Sequence, residues 1–225
     1  IWIHCHLNAE KLTMSLEAYL EIKKEVSPKV CLIAVSKGQP IQKILKLYNE
    51  GHRDFGENFL QELLEKKTQL PDDIRWHFLG NIQSNKLSKI VESSHMIHSV
   101  SRYKIYKLLT NDLSEAAANI LLQLKLGSEE TKSGFSENEI LEIVEKHDKH
   151  SKIKIKGMMV ISENNIDAST TKLQFQQAQR LFEKIKKIND GIDILSMGMS
   201  SDYHEAISCN SNMVRLGTVI FGKRT

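Results

Sequence analysis

The stretch Val30-Cys31-Leu32-Ile33-Ala34-Val35-Ser36-Lys37 is an apolar run that ends on a serine and a lysine. It reads as a β-strand with one amine at its carboxyl end. Seven further strand candidates follow it: Arg53 to Phe55, Arg75 to Leu79, His95 to Ser99, Ile120 to Leu126, Ile153 to Val160, Ile192 to Met197 and Met213 to Leu216. Helical patterns lie around and between them. Leu16, Tyr19, Leu20 and Ile22 trace one face ahead of the first strand; Ile41, Ile44, Leu45 and Tyr48 trace another, opened by Pro40 and closed at Gly51. A capping box, Ser136 with Glu139, precedes Ile140, Leu141 and Val144, and Leu181, Phe182, Ile185 and Ile188 share the face of a long later helix. Strict alternation makes each helix the crossover between parallel strands, and eight such units close best as a single-domain (β/α)8 TIM barrel of the α/β class. The competing open, doubly wound sheet lacks a G-x-G-x-x-G fingerprint after the first strand.

The 225 residues suit one unit of this kind, with an atypical tail over residues 1–13, a barrel over 14–225 and Met14 near the functional start. The net charge of +3 is interspersed rather than gathered into a basic stripe, so no nucleic-acid partner is expected. Cys5, Cys31 and Cys209 are odd in number, far apart and outside any CxxC pair, which argues against a disulfide framework or zinc site and for a cytoplasmic location. The tail's His4-Cys5-His6 has no second ligand cluster and reads as incidental, so no metal is expected. Residues 1–13 lack the pattern of a signal peptide, and no apolar run approaches the roughly 20 residues that cross a bilayer. The expectation is a monomer with no membrane partner.

In a parallel barrel, functional groups gather where strands end. Here the polar clusters fall there: Lys37 after the first strand, Gly56-Glu57-Asn58 after the second, Gly80 to Lys86 after the third, Ser196 to Asp202 after the seventh and Arg215 to Thr218 at the eighth. A partly desolvated lysine at the mouth is a candidate to form a Schiff base with an aldehyde. The loops after strands seven and eight have the small residues that let backbone N–H groups approach a phosphate. Taken singly, Gly198 and Gly217 could merely make turns and Ser200 and Ser201 cap a helix; taken together, the loops favour phosphate. A Schiff-base lysine opposite a phosphate cradle describes a pyridoxal 5′-phosphate (PLP) site.

The strings AVSK (34–37), FGEN (55–58), WHFLGNIQSNK (76–86), LSMGMSSD (195–202) and MVRLGTVIFG (213–222) occur in that order. With them the chain resembles the pyridoxal phosphate homeostasis protein family over residues 14 to 223. The resemblance implies an alanine-racemase-type barrel in which Lys37 carries the cofactor as an aldimine. It implies further that Ser200, Gly217 and Thr218 contact the phosphate, that Arg215 lies beside the pyridine nitrogen and that Asn58 lies near the ring or its hydroxyl. An arginine there stays protonated and disfavours a proton on the ring nitrogen, which damps carbanion chemistry. The alternative for Arg215 is a structural ion pair at the rim.

Other residues carry less. His77 reads as a satisfied histidine facing the barrel interior, His147 and His150 as solvated, and Lys86 as a surface amine that is a second aldehyde-reactive candidate. Lys132-Ser133-Gly134 matches a family string without a known task. Gly38-Gln39 stands where many relatives have Thr-Lys. The chain stops soon after the eighth strand, without the added β-domain from which racemases on this barrel draw a second acid, so the leading expectation is a non-catalytic PLP carrier for vitamin B6 homeostasis. Its partners would be PLP and apo PLP-dependent enzymes. A racemase acting as a bare barrel and a class I aldolase acting on a phosphosugar are the alternatives.

Overall fold

The computed structural model describes residues 16–113, 116–127, 133–163 and 166–222. The tail over 1–13, with His4, Cys5 and His6, and also Met14 and Lys132, lie outside the described residues. Eight parallel strands close in sequence order into a barrel: β1 (Cys31–Val35), β2 (Asp54–Glu57), β3 (Arg75–Phe78), β4 (Met96–Val100), β5 (Ala118–Leu124), β6 (Ile153–Val160), β7 (Ile194–Ser196) and β8 (Met213–Leu216). The expected eight-unit architecture is the one observed. β1 closes the ring by pairing with β8, Ile33 opposite Arg215.

A helix over residues 16–25, here α1, precedes β1. The remaining helices are α2 (Ile41–Asn49), α3 (Leu60–Lys67), α4 (Leu87–Ser93), α5 (Tyr103–Lys107), α6 (Glu137–Lys146), α7 (Ala168–Ile188), α8 (Tyr203–Ser208) and α9 (Thr218–Phe221). The capping box of α6 forms as expected: the Ser136 hydroxyl accepts from the Glu139 N–H, and the Glu139 carboxylate accepts from the Ser136 N–H at 2.8 Å.

Alternation along each strand divides the apolar residues into two cores. Ile33, Met96, Leu121, Met159 and Met213 form a cluster of their own, filling the lumen from five strands. Their outward neighbours, among them Ala34, Ile97, Leu122, Val160 and Val214, join the much larger layer between strands and helices.

Two tyrosines pin helices to the strands through histidines. Each imidazole donates from Nε2 to a strand carbonyl, His52 to Asp54 at 2.8 Å and His147 to Ile153 at 2.8 Å. A carbonyl only accepts, so Nδ1 is left as the acceptor for Tyr19 on α1 (3.2 Å) and Tyr106 on α5 (2.9 Å). His147 is therefore buried and fully bonded, not solvated as its charged neighbours suggest; His150 is exposed as expected.

β2 runs on to Glu57, two residues past its expected end at Phe55. Gly56 looks like a loop residue but is a strand residue facing the lumen, where an added Cβ would lie 2.7 Å from Leu79 Cδ1. β7 is shorter than expected at both ends, and β5 begins and ends two residues early.

Candidate functional site at the carboxyl rim

Lys37 occupies the turn immediately after β1 and is half-buried. The residues on either side of it are clamped from below. The Lys66 ammonium on α3 donates to the Ser36 carbonyl (2.7 Å), to Glu57 Oε1 (2.7 Å) and to Glu62 Oε1 (2.6 Å). Glu57 Oε1 also accepts from the Ser36 hydroxyl at 2.6 Å, and Glu62 Oε1 accepts from the Gly38 N–H at 2.5 Å. Lys66 and Glu57 are buried, and burial holds the Glu57 carboxyl above the usual carboxylate range although the Lys66 ammonium pulls it down. Its second oxygen, Oε2, is buried with no hydrogen-bond partner. Sequence reading assigned Glu57 to a rim loop; it is the base of the turn that carries Lys37. The alternation of β2 could have found it, since Phe55 and Glu57 share the outward face.

Two strands round the barrel from the lysine, the loop between β7 and α8 is built on Asp202. Its carboxylate accepts from the Met199 N–H (2.6 Å) and the Ser162 hydroxyl (2.6 Å), tying the loop to the end of β6. Gly198 has φ +99°, and an added Cβ would lie 2.7 Å from Ala206 Cβ, so this turn takes glycine for both conformation and space. The Ser200 hydroxyl reaches across to the next loop, accepting from the N–H groups of Gly217 (3.3 Å) and Val219 (3.4 Å). Ser200 thus does act as a cap, but on α9 rather than on α8, which follows it in sequence.

Arg215 is 5% exposed. Its Nη1 donates to the Ser196 carbonyl (2.9 Å) and hydroxyl (2.7 Å), and its Nη2 to the Val160 carbonyl (2.8 Å). Burial pulls the guanidinium down to about 10, with Asp202 acting in the other direction, and at neutral pH it remains charged. Among the described residues no carboxylate pairs with it, so the rim ion pair considered for it is not what holds it; strand carbonyls and a serine do.

Lys37, Asn58, Ser200, Arg215, Gly217 and Thr218 all line one cavity of about 650 Å³ at this rim, whose apolar wall comes from Val35, Leu79, Met159 and Ile161. The β2 and β3 loops meet there at backbone distance: a Cβ on Gly80 would fall 1.8 Å from the Asn58 carbonyl oxygen. Lys86 is exposed and does not line the cavity. His77 faces the lumen as expected, bonded to Asp54 and His98; Ser196, the first residue of the cluster after strand seven, also faces the lumen, as does His98, which the sequence analysis does not single out although it breaks an apolar run. A second cavity, of about 580 Å³, lies outside the barrel between α5 and α6 and gathers none of these six residues.

A closed parallel barrel with one lysine, one buried arginine and two small-residue loops around its carboxyl mouth defines a class. The alanine racemase N-terminal domain family matches residues 16–225. Among curated relatives, the pyridoxal phosphate homeostasis protein of Pasteurella multocida is 34% identical over 226 residues, covering 96% of each chain. That of Synechocystis is 38% identical over 93% of this chain and 99% of its own, and that of Schizosaccharomyces pombe 37% identical over 87% and 84%. The chain belongs to the alanine racemase N-terminal domain family and, within it, to the pyridoxal phosphate homeostasis proteins. PipY of Synechococcus elongatus superposes with a TM-score of 0.86 in its structure without PLP and 0.83 in its structure with PLP bound, at 33% identity and 92% coverage of this chain in both, and 99% and 100% of its own. Alanine racemase from E. faecalis, at 14% identity and a TM-score of 0.69, shares the fold; this chain spans 58% of its length.

Proposed function

We propose that this protein binds PLP in the rim cavity and serves as a carrier in vitamin B6 homeostasis, with Lys37 as the Schiff-base residue. The observation that carries this reading is the convergence of all six residues on a single cavity. The donor set suits an anionic aromatic aldehyde: an amine on one side, a buried cation on the floor, and the Ser200 hydroxyl with loop N–H groups on the other. With PLP bound, Lys37 would supply the amine that condenses with its aldehyde, water being the leaving group. Ser200, Gly217 and Thr218 would hold the phosphate, Asn58 the ring or its hydroxyl, and Arg215 the ring nitrogen. When bound, PLP supplies an electron sink whose strength depends on a protonated ring nitrogen.

Arg215 bears on how the cofactor would react. A charged guanidinium would donate to the ring nitrogen and keep a proton off it, which weakens the ring as an electron sink. Recipients would be apo PLP-dependent enzymes. The names of the relatives support the homeostasis role, and among the described residues no helix is long and apolar enough to cross a membrane.

Borohydride reduction of the PLP-loaded protein followed by peptide mass spectrometry tests the assignment. The phosphopyridoxyl mass should sit on the peptide containing Lys37, and Lys37→Ala should lose both it and the cofactor's visible absorbance. Label on Lys86 in the native protein would refute the placement.

A further inference from the structure

The hydrogen bonds that begin at Arg215 do not stop at Ser196. Ser196 Oγ lies 3.4 Å from His98 Nδ1, the longest link; His98 Nε2 lies 2.9 Å from His77 Nδ1; and His77 Nε2 lies 3.1 Å from Asp54 Oδ1. Asp54 is held in turn by Arg75 through two guanidinium nitrogens, at 2.7 and 2.5 Å. Ser196, His98 and His77 are at most 1% exposed, whereas the Arg75 side chain is 47% exposed. Asp54 and Arg75 begin their strands and Arg215 nears the end of its own. The series therefore crosses the lumen from the amino mouth of the barrel to the cavity at the carboxyl mouth.

Its direction is set by its ends. Arginine only donates, so Ser196 Oγ accepts from Nη1, and its own proton is then available to His98 Nδ1, the direction on which the inference is built. A neutral His98 must then carry its proton on Nε2, which donates to His77 Nδ1. That fixes the His77 proton on Nε2, facing a carboxylate that only accepts. Burial keeps His98 well below the usual imidazole value, and therefore uncharged. Each donor meets an acceptor, all with one polarity.

A buried guanidinium without a contacting carboxylate is costly. The other charged group acting on Arg215 is Asp202, from the β7 loop; the other histidine beside the series is His95, its ring 5.7 Å from that of His77. We propose that His98 and His77 are positioning residues for Arg215, which with Ser196 transmit the negative polarisation of Asp54 through the barrel and hold the guanidinium charged and aimed into the cavity. Chains of this kind polarise from link to link. The proposal makes an ion pair at the far mouth part of the cofactor site, and only its spectral readout rests on Arg215 facing the PLP ring.

The test begins without cofactor. Long-range ¹H–¹⁵N spectra of the histidine rings, assigned with His77→Gln and His98→Gln, should show both as neutral Nε2–H tautomers. A proton on Nδ1 of either ring, or a charged ring at neutral pH, would overturn the relay. In the same apo-protein the Arg215 guanidinium ¹⁵N resonances should shift in His98→Leu and return toward native in His98→Gln, whose amide can both accept and donate. Asp54→Asn, at the accessible end, should shift the same resonances and covers the case in which His98→Leu does not fold. Unmoved Arg215 resonances in Asp54→Asn would refute the coupling. With PLP bound, His98→Leu or Asp54→Asn should move the cofactor band in the direction that Arg215→Lys moves it. A shift in Arg215→Lys alone would refute the relay, whereas no shift in Arg215→Lys would refute the ring-nitrogen reading and leave the relay to be decided by the apo spectra.

Discussion

The Lys66 ammonium lies 2.7 Å from the carbonyl oxygen of Ser36, so a buried cation grips the peptide that leads directly into Lys37. The same ammonium neutralises Glu57, whose carboxyl has a second oxygen with no partner. Removing one member of a buried pair strands the other. Lys66→Met should therefore cost about 3 to 5 kcal/mol in urea unfolding. Adding Glu57→Leu should recover much of that loss, because an apolar pair replaces an uncompensated charge. A loss below about 1 kcal/mol in the single variant, the range of exposed pairs, would show that this cluster does not hold the turn.

Phosphate reading by the two adjacent loops after β7 and β8 predicts a selective defect. Thr218→Val with Ser200→Ala should weaken retention of PLP far more than that of unphosphorylated pyridoxal, at about 1.5 to 3 kcal/mol for each charge-assisted bond lost. Competitive dialysis of the two ligands measures it. Equal weakening of both would mean that these loops do not read the phosphate.

The carrier reading predicts chemical quiet. PLP-loaded protein incubated with alanine or serine in deuterated water should show no significant α-deuterium by NMR, while an apo PLP enzyme mixed with it should gain activity. Exchange on the order of 1 to 1,000 per second, the range of ordinary enzymes, would favour a racemase instead.

Acid should weaken the fold through histidines buried neutral. Burial holds His52 at about 4, against 6.5 for a free imidazole. Below pH 6.5 the unfolded chain takes up a proton that the native ring refuses, so stability falls as pH drops from about 6.5 to about 4 and levels off beneath that. The slope is up to about 1.4 kcal/mol per pH unit for each such ring, and burial of His98 acts in the same direction. His52→Gln, able to accept from Tyr19 and donate to the Asp54 carbonyl, should flatten the urea midpoint against pH by one ring's share. An unchanged slope would assign acid lability to other groups.

The barrel was legible because its strands are short apolar runs with helical patterns between them, and β6 and β8 match their expected bounds residue for residue. The six cavity residues were legible because strand ends carry unusual polar clusters and because the ordered motifs resemble a family. What escaped depends on partners distant in sequence. Glu57 looks like loop until Lys66 on α3 is seen to meet it. His147 sits in a charged segment, and its hydrogen bond to Tyr106, 41 residues earlier, is not visible there. His98 reads as a lone polar residue until β3 and β7 bring His77 and Ser196 to it.

The 1.8 Å clearance between a Cβ on Gly80 and the Asn58 carbonyl sets a rule for anyone recombining barrel rims. The second and third loops form one cassette, to be transplanted together or not at all. A graft that imports a third loop with any side chain at this position would push Asn58 out of place and reshape the cavity without altering one of its lining residues.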